Sequence, residues 1–230
     1  MYLRDYPKTK YKKDKLVKKT AIIIAGGFSE RLGQEKGLVK LAEKPLIKHV
    51  IERIQNITEE VIVAVSTEKQ KQSYTSLLGG KVEIFLDTNT LHSPLIGALT
   101  GLMKAHGDYS VLLPCDTPFV SKDAVKLMFE ISSGVDAVIP RWPNGYIEPL
   151  QAVYRTSSAL AAAKKAVEGG KVSLQSMISL LRRVRYLSTL VIKTIDPQLT
   201  TFFNLNTKAD LKRAESLIKR HAKKVTAFKV

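Results

Sequence analysis

Short, strongly apolar runs alternate with helix-like segments along most of the 230-residue chain. The runs "AIIIA" at 21–25, "VIVAV" at 61–65 and "VLLPC" at 111–115 contain no charged residue, so both faces of each strand must be covered. Apolar strands separated by helices are typical of a parallel sheet between two helical layers. The alternation therefore predicts an α/β domain with a Rossmann-like, mainly parallel central sheet and helices on both faces.

Apolar periodicity and turn residues set the expected bounds of these elements. Ser121 and Thr207 each precede a helical pattern and are expected to cap a helix at its N-terminus. Strands are expected at 20–25, 61–66, 82–87, 109–116, 135–140 and 148–155, with a last strand within 184–195. Helices are expected at about 45–55, 68–78, 96–105, 121–132, 156–168, 173–182 and 207–221.

The two ends of the chain carry much of its formal net charge of +16. Residues 1–20 alone have a net charge of +6 without apolar periodicity, and 218–230 is also rich in lysine. We expect a mobile basic arm at 1–18, a single domain at 19–222 and a basic tail at 223–230. Such ends either keep the protein in solution or attract nucleic acid and other anions weakly and without specificity.

Cysteine usage and apolar patterning argue against several classes of protein. Cys115 is the single cysteine, so neither an internal disulfide nor a multi-cysteine metal site is expected, and a reducing cytoplasm fits this usage. The apolar runs are too short for a membrane span, and no signal-peptide pattern follows the N-terminal lysines. We expect a cytoplasmic protein that does not contact a membrane.

The connection after the first strand is long and basic. The segment "AGGFSERLGQEKGL" at 25–38 contains Gly26, Gly27, Arg31 and Lys36, whereas strand-to-helix connections normally take two to six residues. Glycines let backbone N–H groups approach an anion, and fixed cations neutralise its charge. Since the pattern is neither GxxxxGK[ST] nor GxGxxG, the residues leave two interpretations: another kind of phosphate-binding loop, or a basic surface loop without a ligand.

Two aspartates end other predicted strands. Asp87 follows the third strand, and Asp116 follows the fourth within "LLPCDTPF" at 112–119. Ligands of such sheets bind beyond the carboxyl ends of the strands, and the prolines beside Asp116 restrict its backbone. A fixed carboxylate near a basic glycine loop suits Mg²⁺ shared with phosphate oxygens. Asp87 is also typical of an ordinary turn.

Four segments in order resemble one family. The pattern A-G-G-x-S-x-R-L-G-x-x-K and the following K-P-L-I cover 25–47, and "SPLIGAL" at 93–99, "PCDTPFV" at 114–120 and "FFNLNTKADL" at 202–211 come next. Together they resemble the nucleotidyltransferase signature of the molybdenum cofactor guanylyltransferases. The resemblance covers about residues 20–215 and implies a fold like that of the nucleotide-diphospho-sugar transferases.

The resemblance also implies roles for particular residues. The nucleotide would be bound by Ile24, Ala25, Gly26, Gly27, Lys36 and Asp87, with Arg31 as a further phosphate contact. Asp116 would bind Mg²⁺ and would act in catalysis together with Lys36 and Arg31.

The acceptor side of the implied cleft rests on weaker matches. Asn204 and Asn206 match a family N-x-N-T stretch that would lie near the pterin phosphate, or they form only a turn capped by Thr207. The segment "EPLQAVYR" resembles the family strand beside the acceptor, which makes Glu148 and Arg155 further candidates.

The first turn bears on the choice of base. The resemblance associates A-G-G with GTP and A-A-G with CTP, and Gly26 lacks the Cβ that would crowd a purine. Backbone groups of this turn and of 94–97 would pair with the guanine edge. Glu35 and Ser93 depart from the family pattern, which usually has Asp and Gly at these positions.

The implied activity is transfer of GMP from GTP to the terminal phosphate of molybdopterin, with release of pyrophosphate and formation of the guanine dinucleotide cofactor. Mg²⁺ is the expected cofactor, and transient contact with molybdenum-cofactor biosynthesis or acceptor proteins is expected, without specific nucleic-acid binding. Alternatives within the fold are cytidylyl transfer to molybdopterin and nucleotidyl transfer to a sugar phosphate or phospholactate. A nucleic-acid-binding module with a degenerate nucleotide fold is a further alternative, which the presence of Lys36 and Asp116 disfavours.

Overall fold

The computed structural model describes residues 17–29, 33–87 and 93–227, without the side chains of 81 and 221–227. The strands of the central sheet are β1 Lys19–Ile24, β2 Glu60–Val65, β3 Glu83–Leu86, β4 Tyr109–Pro114, β5 Ala137–Arg141, β6 Ala152–Arg155 and β7 Val184–Ser188. The helices are α1 Leu46–Ile54, α2 Glu68–Leu78, α3 Pro94–Lys104, α4 Lys122–Glu130, α5 Thr156–Glu168, α6 Leu174–Ile178, α7 Thr189–Ile195 and α8 Lys208–Ala227.

The central sheet is mainly parallel, as predicted. Its strand order is β7-β5-β6-β4-β1-β2-β3. Every pairing is parallel except those of β6, which runs antiparallel to β4 and β5. Ile22 at the centre of β1 lies opposite Ile62 of β2 and Leu112 of β4.

Helices cover both faces of this sheet, because neighbouring residues of β1 point to opposite sides. Ala21 and Ile23 belong to a core with α1, α4 and α7, whereas Ile22 belongs to a second core with α3, α5 and α6. Helix α3 packs closely on β1 through Gly101, where an added Cβ would lie 2.2 Å from Ile22 Cγ2. The predicted two-faced coverage is confirmed.

The strand order reverses between β1 and β4. From β1 the chain proceeds outward to β2 and β3 on one side, and then β4 returns to the other side of β1. The carboxyl ends of β1 and β4 therefore border the crevice in which α/β sheets of this kind bind ligands. Gly26 and Gly27 follow β1 at this point, and Asp116 follows β4.

Several predicted bounds need correction. The first half of the strand predicted at 148–155 is a 3₁₀ turn, Pro149–Gln151, because Pro149 cannot donate a ladder hydrogen bond. The helix predicted at 173–182 is limited to Leu174–Ile178. Within 184–195, β7 is followed directly by α7. Ser188 is the N-cap of this helix, because its side chain accepts a hydrogen bond from Leu190 N–H.

The chain ends lie only partly within the described residues. Most of the predicted arm, residues 1–16, lies outside them. Helix α8 continues to Ala227, past the expected end at 221 and into the predicted tail. The division into arm, domain and tail stays a prediction. Across the described part of the chain, no helix combines the length and apolarity that a membrane span requires.

Candidate active site

A cavity of about 460 Å³ opens at the carboxyl edge of the sheet, over β1 and β4. One half of its wall, called here the β1–β3 half, includes Gly26, Gly27, Ser66, Asp87, Ser93 and Pro94. The other, called the β4–β6 half, includes Tyr146, Glu148, Leu150, Gln151, Leu174 and Asn204. Lys36, Asp116 and Asn206 line the centre.

Lys36 brings together three segments that are far apart in sequence. Its Nζ donates to Asp116 Oδ2 at 3.0 Å and to Asn206 Oδ1 at 2.7 Å. Its backbone N–H donates to the Gly27 carbonyl at 3.3 Å, which folds the glycine segment back on itself. The ammonium group is thus held at the cavity wall with 27% of the Lys36 side chain exposed.

A small apolar cluster holds the segments of Lys36 and Asn206 against each other. Val39 and Leu46 beside the Lys36 segment pack with Leu205 and with Ala214 of α8. Burial of these side chains stabilises the contact, and the polar residues at its edge face the cavity. The two segments meet because of this apolar seam, which the sequence motifs alone did not reveal.

The turn before α8 is anchored at both ends. Leu205 N–H donates to the Asp116 carbonyl at 2.9 Å. Asp210 Oδ2 accepts from the N–H groups of Asn206 and Thr207, while Thr207 Oγ1 accepts from Asp210 N–H. The predicted Thr207 cap is confirmed. These bonds outweigh the cost of partial burial and lower the pKa of Asp210, so the turn presents Asn206 in a fixed orientation.

The two glycines of the first turn serve different purposes. A Cβ on Gly26 would lie 2.0 Å from Ser66 Oγ and 3.0 Å from Ser66 Cβ, so a larger residue at this position would displace Ser66 at the end of β2. A Cβ on Gly27 would lie 3.6 Å from Lys36 Cδ, an ordinary contact. The expectation that the missing Cβ of Gly26 faces the base therefore needs correction: it faces Ser66.

Gln70 of α2 connects the Gly26–Gly27 turn to the turn that follows β2, at Ser66 and Thr67. Its Oε1 accepts from Ser66 N–H at 2.9 Å and from Thr67 N–H at 3.2 Å, and its Nε2 donates to the Gly26 carbonyl at 3.3 Å. Gln70 is buried, so breaking this set would leave polar groups without partners inside the protein. Ser66 Oγ in turn donates to Asp87 Oδ2 at 3.1 Å.

The structure brings most of the predicted site residues to this cavity. Ile24 also lines it, whereas Ala25 is fully buried and continues the backbone pairing with Ala64. Arg31 lies outside the described residues. Arg155 does not reach the cavity: it donates to Tyr109 Oη at 3.1 Å, at the other end of β6. Because β6 runs antiparallel to β4, Arg155 at its carboxyl end lies beside Tyr109 at the amino end of β4, away from the cavity.

Sequence reasoning missed Ser66, Gln70, Tyr146 and Gln151. A capping-box pattern with Thr67 and Gln70 was the available signal for the β2 turn, because such boxes mark helix starts. Nothing local in the sequence distinguishes Tyr146 or Gln151 as cavity residues. They are brought there by the hairpin and 3₁₀ turn before β6.

The centre of the site fits a divalent ion whose coordination a substrate would complete. Mg²⁺ is usually held by one or two carboxylates together with substrate phosphates, and Asp116 is a carboxylate at the cavity wall beside Lys36. Within the described ranges, no cluster of three or more His, Cys, Asp or Glu could hold a metal. Cys115 is buried and burial raises its thiol pKa, so it is not a reactive nucleophile.

Comparisons with known proteins agree with this geometry. The MobA-like NTP transferase domain matches residues 21–184. The chain is 34% identical over 209 residues to "Probable molybdenum cofactor guanylyltransferase" of Methanosarcina mazei, covering 89% of this chain and 93% of the relative. It is 30% identical over 202 residues to "Molybdenum cofactor guanylyltransferase" of Desulfosudis oleivorans, covering 87% and 96%.

A solved structure agrees as well. Molybdopterin-guanine dinucleotide biosynthesis protein A from Archaeoglobus fulgidus superimposes with a TM-score of 0.75 at 28% identity, over 87% of this chain and 99% of that one. Fold and site define a nucleotidyltransferase. The chain belongs to the MobA-like NTP transferase family, as the sequence motifs predicted.

Proposed function

We propose that this chain transfers GMP from GTP to the terminal phosphate of molybdopterin. The observation that most supports this proposal is the position of Lys36. Its Nζ lies between Asp116 and Asn206, at the point where the strand order reverses. Two phosphate-bearing substrates must meet at such a centre, one from each half of the cavity. The similarity to molybdenum cofactor guanylyltransferases supports a guanylyl donor and a molybdenum-cofactor acceptor as the two substrates.

The reaction needs no covalent enzyme intermediate. An oxygen of the acceptor's terminal phosphate attacks the α-phosphorus of GTP and forms a new P–O bond. The bond from the α-phosphorus to the oxygen that bridges to the β-phosphorus breaks, and pyrophosphate leaves with that electron pair. Both reactants are anions, so positioning and charge neutralisation carry the catalysis.

Lys36 neutralises phosphate charge at the centre, and Asp116 and Asn206 hold its ammonium group in place. Arg31 is assigned a second phosphate contact on the resemblance alone. Asp116 would hold Mg²⁺, which when bound would supply positive charge that stabilises the reacting phosphates. Asn206 at the centre and Asn204 in the β4–β6 half would present amide groups to the acceptor phosphate.

The β1–β3 half would receive the guanosine. The Gly26–Gly27 turn lies next to the phosphate centre, and Asp87 and Ser93 lie further along the same wall. Ser66 positions the Asp87 carboxylate, which can accept from the N1–H and 2-amino groups of guanine. Cytosine offers no such pair of donors, so GTP is favoured over CTP.

The reaction would take place in the cytoplasm, with transient transfer of the product to molybdenum-cofactor proteins. The second candidate is cytidylyl transfer to molybdopterin, favoured by Ser93 at the position where the guanylyl enzymes usually have glycine.

Incubation of α-phosphate-labelled GTP with the protein, with and without molybdopterin, tests the proposal. Label is expected in a guanine dinucleotide only when molybdopterin and Mg²⁺ are both present, with one pyrophosphate released per dinucleotide. Labelled CTP under the same conditions is the matched control. Absence of transfer from GTP would refute the proposed function.

A further inference from the structure

Glu148 lies in the β4–β6 half of the cavity, away from Asp87. Asp87 follows β3, whereas Glu148 precedes β6, and the order β3-β2-β1-β4-β6 separates these strands by four steps. Neighbouring strands are about 4.8 Å apart, so β3 and β6 lie roughly 19 Å apart across the sheet, on either side of the phosphate centre. A ligand group bound by Glu148 is therefore not the group bound by Asp87.

A hairpin holds Glu148 in place. Trp142 N–H donates to the Tyr146 carbonyl at 2.8 Å, which closes the loop between β5 and β6. Trp142 Nε1 donates to Glu148 Oε1 at 2.7 Å. The Trp142 ring packs against Phe202 with 5.4 Å between ring centroids, so the donor that orients the carboxylate is itself fixed.

The surroundings of Glu148 suit a flat ring with polar edges. Tyr146, Pro149, Leu150 and Leu174 supply apolar wall in this half, and the Tyr146 side chain is largely exposed. Aromatic and aliphatic side chains of this kind pack on the faces of planar ligands. A carboxylate repels phosphate, and among the described cavity residues Lys36 is the one cation, so the acceptor's phosphate belongs at Lys36 and its ring system near Glu148.

We propose that the Glu148 carboxylate recognises the pterin ring of the acceptor by accepting hydrogen bonds from its N3–H and 2-amino groups. This inference rests on the proposed function. A pterin presents two adjacent donors at this edge, and an ionised carboxylate presents two adjacent acceptors. The hydrogen bond from Trp142 restricts the position of Glu148 Oε1 in the cavity wall.

The electrostatics agree with this arrangement. Burial raises the pKa of Glu148, and the Trp142 hydrogen bond only partly offsets that cost. Two further N–H donors from a ligand would stabilise the ionised form. Such donors would add to the hydrogen bond that Trp142 already gives the carboxylate.

The test compares pterin with lumazine, which has an oxo group in place of the 2-amino group and so offers one donor and one acceptor at the same edge. Equilibrium dialysis measures both against the wild-type protein and Glu148→Gln, whose amide also offers one donor and one acceptor. The wild type is expected to bind pterin at least about tenfold more tightly than lumazine. Glu148→Gln is expected to lose or invert this preference.

One variant controls for loss of charge elsewhere. Glu52→Gln removes an exposed carboxylate paired with Lys44 outside the cavity and is expected to keep the wild-type ratio of pterin to lumazine affinity. Asp87→Asn distinguishes the two halves of the cavity, because Asp87 is assigned the equivalent donor pair of guanine. An unchanged ratio in Glu148→Gln, with or without a changed ratio in Asp87→Asn, or no saturable pterin binding by the wild type, would overturn the inference.

Kinetics separate this inference from the proposed function. In GMP transfer, Glu148→Gln is expected to raise KM for molybdopterin at least about tenfold with KM for GTP within twofold of wild type. Wild-type transfer with unchanged kinetics in Glu148→Gln would refute the role of Glu148 and leave the proposed function intact. Failure of the wild type to transfer GMP would refute the proposed function, while the dialysis result would still decide pterin recognition.

Discussion

The amino and the carboxyl ends of the parallel strands, called here the amino edge and the carboxyl edge of the sheet, use similar polar residues in different ways. At the amino edge, Glu60 accepts from Thr20 Oγ1 at 2.6 Å and contacts His106 Nδ1 at 2.7 Å, while Asp108 accepts from Lys18 N–H at 3.0 Å. These groups satisfy one another and the loop backbone. At the carboxyl edge, Lys36, Asp116 and Asp87 also have partners, but they line a cavity between two halves of the sheet.

Cavity volume does not distinguish the candidate active site from the amino edge. A shallow groove of about 760 Å³ lies at the amino edge, larger than the candidate active site. Its cations rest on aromatic rings: Lys19 Nζ lies 5.4 Å from the Phe129 centroid, and the Arg155 guanidinium lies 5.5 Å from that of Tyr109. Position at the strand-order reversal and convergence of distant segments support the candidate active site better than volume does.

The largest expected effect is on the central cation. Lys36→Ala should lower kcat for GMP transfer by roughly 10²–10³, the loss typical of one preorganised charge donor. Steady-state kinetics with GTP and molybdopterin check this, and thermal unfolding checks that the fold persists. Lys40→Ala removes an exposed lysine that pairs with Glu43 and should retain wild-type kinetics. Wild-type turnover in Lys36→Ala would remove the distinction between the edges.

The second-largest effect on turnover is expected for Asp116→Asn. It replaces an anionic oxygen ligand by an amide of similar volume, so Mg²⁺-dependent turnover should fall at least about 100-fold, as for loss of a charge-stabilising group. A Mg²⁺ titration of activity measures the effect, and circular dichroism should report a native fold. An unchanged Mg²⁺ dependence would contradict the assigned role.

The contrast between these residues and their neighbours shows how far sequence reasoning reaches. Asp116 and the Gly26–Gly27 turn were predictable because apolar strands locate the carboxyl edge. Arg155 was misplaced because the antiparallel course of β6 depends on pairing between distant segments. Gln70 escaped notice because a helical polar residue is usually solvated, and only the packed structure shows it against the Gly26 carbonyl.

An intermediate effect is expected at the β1–β3 half. Wild-type enzyme should use GTP at least about tenfold better than CTP, equal to roughly 1.4 kcal/mol. Gly26→Ala should erode this margin, because its Cβ would displace Ser66, which orients Asp87. Competition assays with both nucleotides measure the ratio. Gly80→Ala is the matched control, since its Cβ would meet no atom within 4 Å and Gly80 does not line the cavity; equal margins in both variants would refute this route.

A smaller effect, on stability alone, is expected at the amino edge. Hydrogen bonding to Glu60 raises the pKa of exposed His106, whereas the bonds from His106 and Thr20 outweigh burial and lower the pKa of Glu60. The stabilisation from His106 is fully present below its ordinary pKa of about 6.5 and is lost as pH rises through the raised value. That from Glu60 is present above its ordinary pKa of about 4.3 and is lost as pH falls through the lowered value.

Glu60→Gln should therefore destabilise the fold, by about 1 kcal/mol for weakened hydrogen bonds, more at pH 5.5 than at pH 8. Urea unfolding at the two pH values measures this difference, and GMP transfer at fixed pH should stay within twofold of wild type. A large loss of activity in a folded Glu60→Gln protein would show that the two edges are coupled.

The smallest effect is expected from removing residues 1–16. The backbone of Lys18 pairs with Asp108, so a truncation that ends before Val17 keeps this contact. Stability and kcat should both remain near wild type, because the predicted arm has no apolar face to bury. Urea unfolding and kinetics of the truncated protein test this; failure to fold would give the arm a structural role.

The central claim is that two phosphate-bearing substrates are joined at Lys36, and a competition between GTP and CTP tests it most directly. Wild-type protein with Mg²⁺, molybdopterin and an equimolar mixture of GTP and CTP should form mainly the guanine dinucleotide, in a one-to-one ratio with pyrophosphate, and Lys36→Ala should form almost none. Pyrophosphate release that does not depend on molybdopterin, or equal product formation by Lys36→Ala, would contradict the account.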